Sequence, residues 1–194
     1  MVIGLGLVAV RFFLNTPKSP VQSGPVISPA IITPSAAPQA VDVGLPVRLK
    51  IPAIHVDANI ERLGLTSDGA MDVTKGPDNV AWYKLGPRPG AIGNAVIAGH
   101  FGWSKGVPAV FDNISKLQPG DKLMVENEGG VTATFVVREL RKYNETADAG
   151  AVFNTSDGKA HLNLITCAGV WNKAIGRFPE RLVVFADLSA RQSL

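Results

Sequence analysis

This 194-residue chain lacks a second cysteine and any excess of charge. Cys167 stands alone, which excludes an internal disulfide. One thiol with three dispersed histidines fits none of the usual zinc spacings. Neither a structural metal nor a cofactor is expected. Charged residues make up 18% of the chain and hydrophobic ones 46%, which argues against a disordered polyelectrolyte and allows a core. The net charge of +3 comes from scattered Lys and Arg. No basic helix, RNP-like strand or zinc-finger spacing appears, so nucleic acid is not an expected partner. The charge suits weak attraction to anionic lipid or wall polymers, and equally a slightly basic soluble protein. No repeat of fixed period is visible.

The first residues, MVIGLGLVAVRFFL, are apolar except for Arg11. As a helix they would span about 21 Å, short of the roughly 30 Å hydrocarbon core of a bilayer. They also lack the basic start and A-x-A cleavage site of a signal peptide. We expect residues 1–15 to be the outer part of a single N-terminal membrane anchor that begins upstream. A buried core segment is the alternative. From Thr16 to Pro46 the composition changes, with half of the fourteen prolines and only Lys18 and Asp42 charged. Such a stretch reads as an extended linker able to hold a domain up to roughly 95 Å from its anchor.

The folded domain is expected over 47–194. Strands are predicted at Val47–Ile51, Asn94–Ala98, Lys122–Glu126, Val131–Lys142, Ala160–Thr166 and Arg181–Asp187. Asn127-Glu128-Gly129-Gly130 makes a hairpin between the third and fourth of these. Val107, Val110, Phe111, Ile114 and Leu117 fall at helical spacing and predict one short helix. Many short strands with Gly and Pro punctuation point to a mainly β fold, a closed or nearly closed barrel.

Cys167 ends one apolar run, and alone it reads as readily as a small core residue. A lone thiol in a chain that looks exported nevertheless asks for a reason. His100 ends a second run, NAVIAGH. Alternation puts Val96, Ala98 and His100 on one face, and Asn163, Ile165 and Cys167 on one face of theirs. If the two strands meet at one rim, the imidazole can take the proton of the thiol, which unaided is only a few per cent thiolate at neutral pH. Without Cys167, His100 would read as a hydrogen-bonded rim histidine. His55 and His161 have no such partner in the pattern and read as structural. Acyl transfer also needs a donor for the developing oxyanion, and Arg181 and Arg177 are both candidates.

LITC, an arginine opening the next apolar strand and an upstream strand ending in AGH together resemble the sortases, cysteine transpeptidases of Gram-positive cell surfaces. RLKIPAIHVDANI and WYKLGPRPGAIGNAVIAGH resemble further parts of that domain. The resemblance implies a closed eight-stranded β-barrel with one or two short helices. It also implies Cys167 as nucleophile, His100 as acid/base partner and Arg181, rather than Arg177, as the stabilising arginine. Thr166 matches the threonine before the family's cysteine and would line the acyl site, with Ala98 and Ile165 as groove wall. Trp103, Trp171 and Phe178 would either contact substrate or pack locally. The loop between Ala168 and Glu180 would govern which substrate is admitted.

By the same resemblance, the partners are secreted proteins bearing LPxTG-like signals, and the acceptor is an amine of a peptidoglycan precursor. The catalytic domain would be extracellular, held at the cell membrane by its anchor. The pattern is most similar to actinobacterial classes E and F, with F preferred. An Asp-Pro-aromatic lid motif is absent from Thr16–Pro46, which argues against a pilus-polymerising member. No acidic cluster suggests a calcium site. The competing readings are a thiol hydrolase, an L,D-transpeptidase, whose SHGC signature is missing, and a non-catalytic wall-associated binding barrel.

Overall fold

The computed structural model describes residues 43–193 except 145 and 175. The expected anchor and the linker up to residue 42 lie outside the described residues. No helix among the described residues is long and apolar enough to cross a membrane. Eight strands form: β1 (Pro46–Ile51), β2 (Val56–Leu63), β3 (Val80–Tyr83), β4 (Gly93–Gly99), β5 (Lys122–Asn127), β6 (Val131–Asn144), β7 (Ala160–Ala168) and β8 (Glu180–Ser193). A single turn of helix, α1 (Gly150–Phe153), precedes β7. The strands close into a barrel in the order β1-β2-β3-β4-β7-β8-β6-β5. The β2–β3 and β4–β7 pairs are parallel and the other pairs antiparallel.

The six strands predicted from sequence form, and β2 and β3 join them. β1 stops at Pro52, which has no N–H to give a ladder. A 3-10 turn over Pro52–Ile54 then ends on His55 at φ 55°, and the chain reverses into β2. In the hairpin between β5 and β6, the side-chain amide oxygen Oδ1 of Asn127 accepts from the N–H groups of Gly129 and Val131 at 2.9 and 2.8 Å.

The helix expected around Val107–Leu117 is not there. Two 3-10 turns, Ser104–Gly106 and Ile114–Lys116, replace it. Gly106 sits at φ 75° and Pro108 lacks a donor, so no continuous helix can pass through them. Its apolar residues divide accordingly: Phe111, Ile114 and Leu117 are buried in the barrel core, and Val107 is exposed.

The interior is filled by Leu49, Ile51, Ile97, Leu123, Phe135, Leu162 and Leu164, all fully buried. A second, smaller apolar cluster lies on the outer face. There Val96, Val183 and Phe185 pack with Val152 of α1, and Met71, Tyr83, Phe153 and Ile165 pack around them. Alternation requires this division: each strand turns one row of side chains inward and the other outward. The outward row becomes core only where a connection crosses over it. Here the β2–β3 crossover and α1 do so.

Candidate active site

β4 and β7 are parallel, with Ala98 opposite Ile165. The next outward positions, His100 and Cys167, therefore leave the same rim beside each other. β8 returns antiparallel with Arg181 opposite Cys167. All three residues line one cleft of about 740 Å³, and Ala98, Ile165 and Thr166 line it with them. Leu65, Met71 and Val73 of the crossover line it as well, as do Ala149 and Phe153 at α1. No carboxylate is among the lining residues, so the cleft is a mainly apolar channel whose charged or titratable groups are His100, Cys167, Arg181 and the phenol of Tyr83.

His100 and Arg181 are each held by backbone carbonyls. His100 Nε2 lies 2.8 Å from the Thr74 carbonyl oxygen. A carbonyl only accepts, so Nε2 carries the proton of the neutral ring and Nδ1 keeps the lone pair. Thr74 is itself buried, and its hydroxyl donates to Gly76 O and Asn79 O. The His100 ring also meets Trp103 edge-on at 4.8 Å.

The glycine before His100 is required by packing. A Cβ on Gly99 would come within 2.5 Å of the Phe111 ring, which is fully buried beneath it. Phe111 N–H donates to His100 O at 3.0 Å, and the Asp112 carboxylate accepts from Gly102 N and Ala109 N at 2.7 and 3.0 Å. The segment after the histidine is thus folded back under it.

Thr166 is buried, and its hydroxyl donates to Gly99 O at 2.7 Å, fastening the end of β4 to β7. Arg181 is half-buried, and its Nη1 donates to Phe178 O and Glu180 O at 3.0 and 2.8 Å. Arg177 sits in the loop, bridged to Asn172, with an exposed side chain that does not line the cleft. Trp171 and Phe178 meet edge-on at 5.1 Å, and Phe178 meets Phe101 at 5.4 Å. These aromatics and Trp103 lie beside the cleft and are not among its lining residues.

The structure adds two residues that sequence reasoning missed. Asn94 and Asn163 lie on the same outward rows as His100 and Cys167, and both are buried. The Asn94 amide donates to the carbonyls of Ala151, Val152 and Asn154, and Asn163 donates to Val152 O at 2.7 Å. Together they pin α1, and through it the Ala149 and Phe153 wall of the cleft. A signal was present, since an asparagine inside a buried apolar strand must find partners.

His161 also has partners that the linear pattern hid. Its Nδ1 meets Asp187 at 2.7 Å and its Nε2 meets Asp157 at 2.9 Å. The structural reading of His161 fits this arrangement. His55 occupies the left-handed end of the β1–β2 turn. Among the described residues no group of three or more His, Cys, Asp or Glu side chains is placed to hold a metal ion.

A closed mixed barrel carrying a thiol, an imidazole and a guanidinium on one outer-face cleft defines a class of thiol-bearing barrels. The family model described as the sortase domain matches residues 49–189. The chain therefore belongs to the sortase family and is a cysteine transpeptidase. No curated protein matches it.

Among solved structures, it is similar to sortase C-1 of Actinomyces oris, with 25% identity and a TM-score of 0.59 over 75% of each chain. It is also similar to sortase A of Listeria monocytogenes, with 20% identity and a TM-score of 0.59 over 79% of this chain and 92% of that one. A Clostridium perfringens sortase D5 transpeptidase matches at 24% identity with a TM-score of 0.55, over 76% of this chain and 79% of that one.

Proposed function

We propose that the protein cleaves an LPxTG-like C-terminal sorting signal between Thr and Gly and transfers the acyl group to an amine of a peptidoglycan precursor. The shared cleft carries this reading. Three groups at the ends of three neighbouring strands line it, and His100 and Arg181 are oriented there by backbone carbonyls. Its apolar, carboxylate-free walls suit a peptide with aliphatic side chains, and its basic groups suit the negative charge that develops on an attacked carbonyl oxygen.

In this mechanism His100 Nδ1 takes the Cys167 proton, and the thiolate attacks the threonine carbonyl carbon. Arg181 stabilises the tetrahedral oxyanion. The Thr–Gly C–N bond then breaks, His100 returns the proton to the departing amine, and a thioester remains. The acceptor amine attacks that thioester, forming the new amide and freeing the thiol. Thr166 acts as a positioning residue by fixing the two strand ends, and Ala98 and Ile165 form groove wall.

The short loop after Ala168 and the WY and GNAVIAGH patterns support class F, with class E next. The missing lid motif supports a role in anchoring over one in polymerisation. Residues 1–15 as an anchor, 16–46 as a linker and 47–194 as the catalytic domain complete the proposal, with the enzyme on the outer side of the cell membrane.

The test incubates the full chain with an LPxTG peptide library and an added amine, with and without a calcium chelator. Ligated products and a mass-detectable thioester on Cys167 are expected in both conditions. Cleavage without ligation would favour a hydrolase, and loss of activity on chelation that calcium restores would overturn the calcium-free reading.

A further inference from the structure

The barrel has two rims, and only one of them carries the reactive groups. At the other rim β2, β3, β5 and β8 end and β1, β4, β6 and β7 begin, and there the chain enters the barrel at Leu45. It lies about 23 Å along β4 from His100, seven residues of strand.

A shallow pocket of about 500 Å³ on this rim is lined by Leu45, Arg62, Trp82, Lys84, Leu85 and Arg88, with Gly86 between them. Three of these are cations and none is a carboxylate. Arg191 of β8 reaches the same rim, where its guanidinium donates to Gly90 O. Glu128 on the β5–β6 turn, Asp72 beside the end of β2 and Asp157 before β7 stand at this rim too, and Arg62, Lys84, Arg88, Arg191 and Lys159 outnumber them.

The turn joining β3 to β4 also leaves two aliphatic side chains in solvent: Leu85 is 63% and Ile92 is 72% exposed. The turn is built to project them. The Trp82 indole N–H donates to Pro87 O at 3.1 Å, and Ala91 N–H donates to Arg88 O at 2.9 Å. Exposed aliphatics flanked by Lys and Arg match the lipid interface, where the apolar groups enter the headgroup boundary and the cations meet phosphate.

We propose that this rim docks the barrel onto the anionic lipid surface of the membrane, turning the cleft rim away from it. The inference rests in part on the cell-surface reading above. Forty-two residues precede the described ones, beginning with an apolar run. The proposed linker over residues 16–46 would let either rim face the bilayer, so tethering alone does not choose between them. The charge and the exposed aliphatics do.

The test measures backbone hydrogen exchange of the full chain on vesicles of phosphatidylcholine, with and without phosphatidylglycerol. Exchange over residues 84–93 should slow about tenfold on the anionic vesicles only. The variant with Arg62→Gln, Lys84→Gln and Arg88→Gln should lose that protection, because each cation near an anionic surface contributes roughly fivefold. Leu85→Ser with Ile92→Ser should weaken it, and peptide ligation in solution should stay within about twofold for both variants.

Equal exchange on the two vesicle types, or protection at 101–104 instead, would overturn the proposal. Equal protection by soluble polyglycerol phosphate without vesicles would reassign the rim to a wall polymer. The N-terminal run is read out separately by sedimentation with neutral vesicles. If it fails to insert, this rim should still bind and be protected on anionic ones.

Discussion

β4 runs directly into His100 and β7 carries His161 near its start on its outward row, and the two histidines are treated in opposite ways. His100 stands at the rim, half-buried, with one ring nitrogen given to a backbone carbonyl and Nδ1 without a hydrogen bond among the described residues. His161 stands at the start of β7, buried, with a carboxylate on each ring nitrogen. A ring held on both nitrogens has no free position with which to accept and return a proton. A ring held on one nitrogen has both an orientation and a vacancy. The same pair of strands thus ends in chemistry on one side and in fastening on the other.

The most severe way to break this contrast is to exchange the losses. Cys167→Ala should abolish the thioester, and His100→Ala should lower kcat/KM by about 10²–10⁴-fold with little change in melting temperature. His161→Ala should reverse the pattern, lowering the melting temperature while kcat stays within about threefold. Single-turnover mass spectrometry and calorimetry on the three variants separate these outcomes. A His161 variant that is catalytically dead but stably folded would end the comparison.

The arginines give the next test. Arg181 faces Cys167 across the ladder and lines the cleft, whereas Arg177 lies outside it. Arg181→Ala should cost about 10²–10³-fold in kcat, as expected for a lost oxyanion donor. Arg177→Ala should stay within about threefold. Equal losses would mean that the loop arginine also reaches the reacting carbonyl.

Clamp and chemistry separate further at Asn94. Asn94→Ala leaves the carbonyls of Ala151, Val152 and Asn154 without their shared donor, at a cost of about 1–3 kcal/mol. Because α1 carries Phe153 into the cleft wall, KM should rise more than kcat falls. A fall in kcat at constant KM would assign Asn94 a part in the reaction itself.

How much of this was legible follows from the range of each interaction. β4, β7 and β8 are apolar runs, so burial alone reveals them, and Cys167, His100 and Arg181 stand at their ends. β2 was hidden because VDANIERL buries only Ala58 and Ile60, and β3 because its four residues are too few to show a period. Val107 to Leu117 has helical spacing, yet Gly106 and Pro108 reduce it to turns whose side chains still reach the core. The partners of His161 are four and twenty-six residues away. Nothing short of the β7–β8 register brings Asp187 opposite His161.

The smallest effect concerns the fastened end alone. Asp157 is an exposed carboxylate held below its ordinary value of 3.8, chiefly by the Lys159 backbone N–H. Partial loss of solvent opposes the shift, and His161 and Thr155 add to it. A depressed carboxylate contributes stability that is present above 3.8 and is lost as pH falls through the lower, folded value. The share of stability that comes from ionised Asp157 should therefore be fully present at neutral pH and be lost only in acid below 3.8. The Lys159 amide resonance should report it by moving below that pH in the native chain and staying still in Asp157→Asn. A midpoint above 3.8 would mean that these contacts do not favour the ionised form of Asp157.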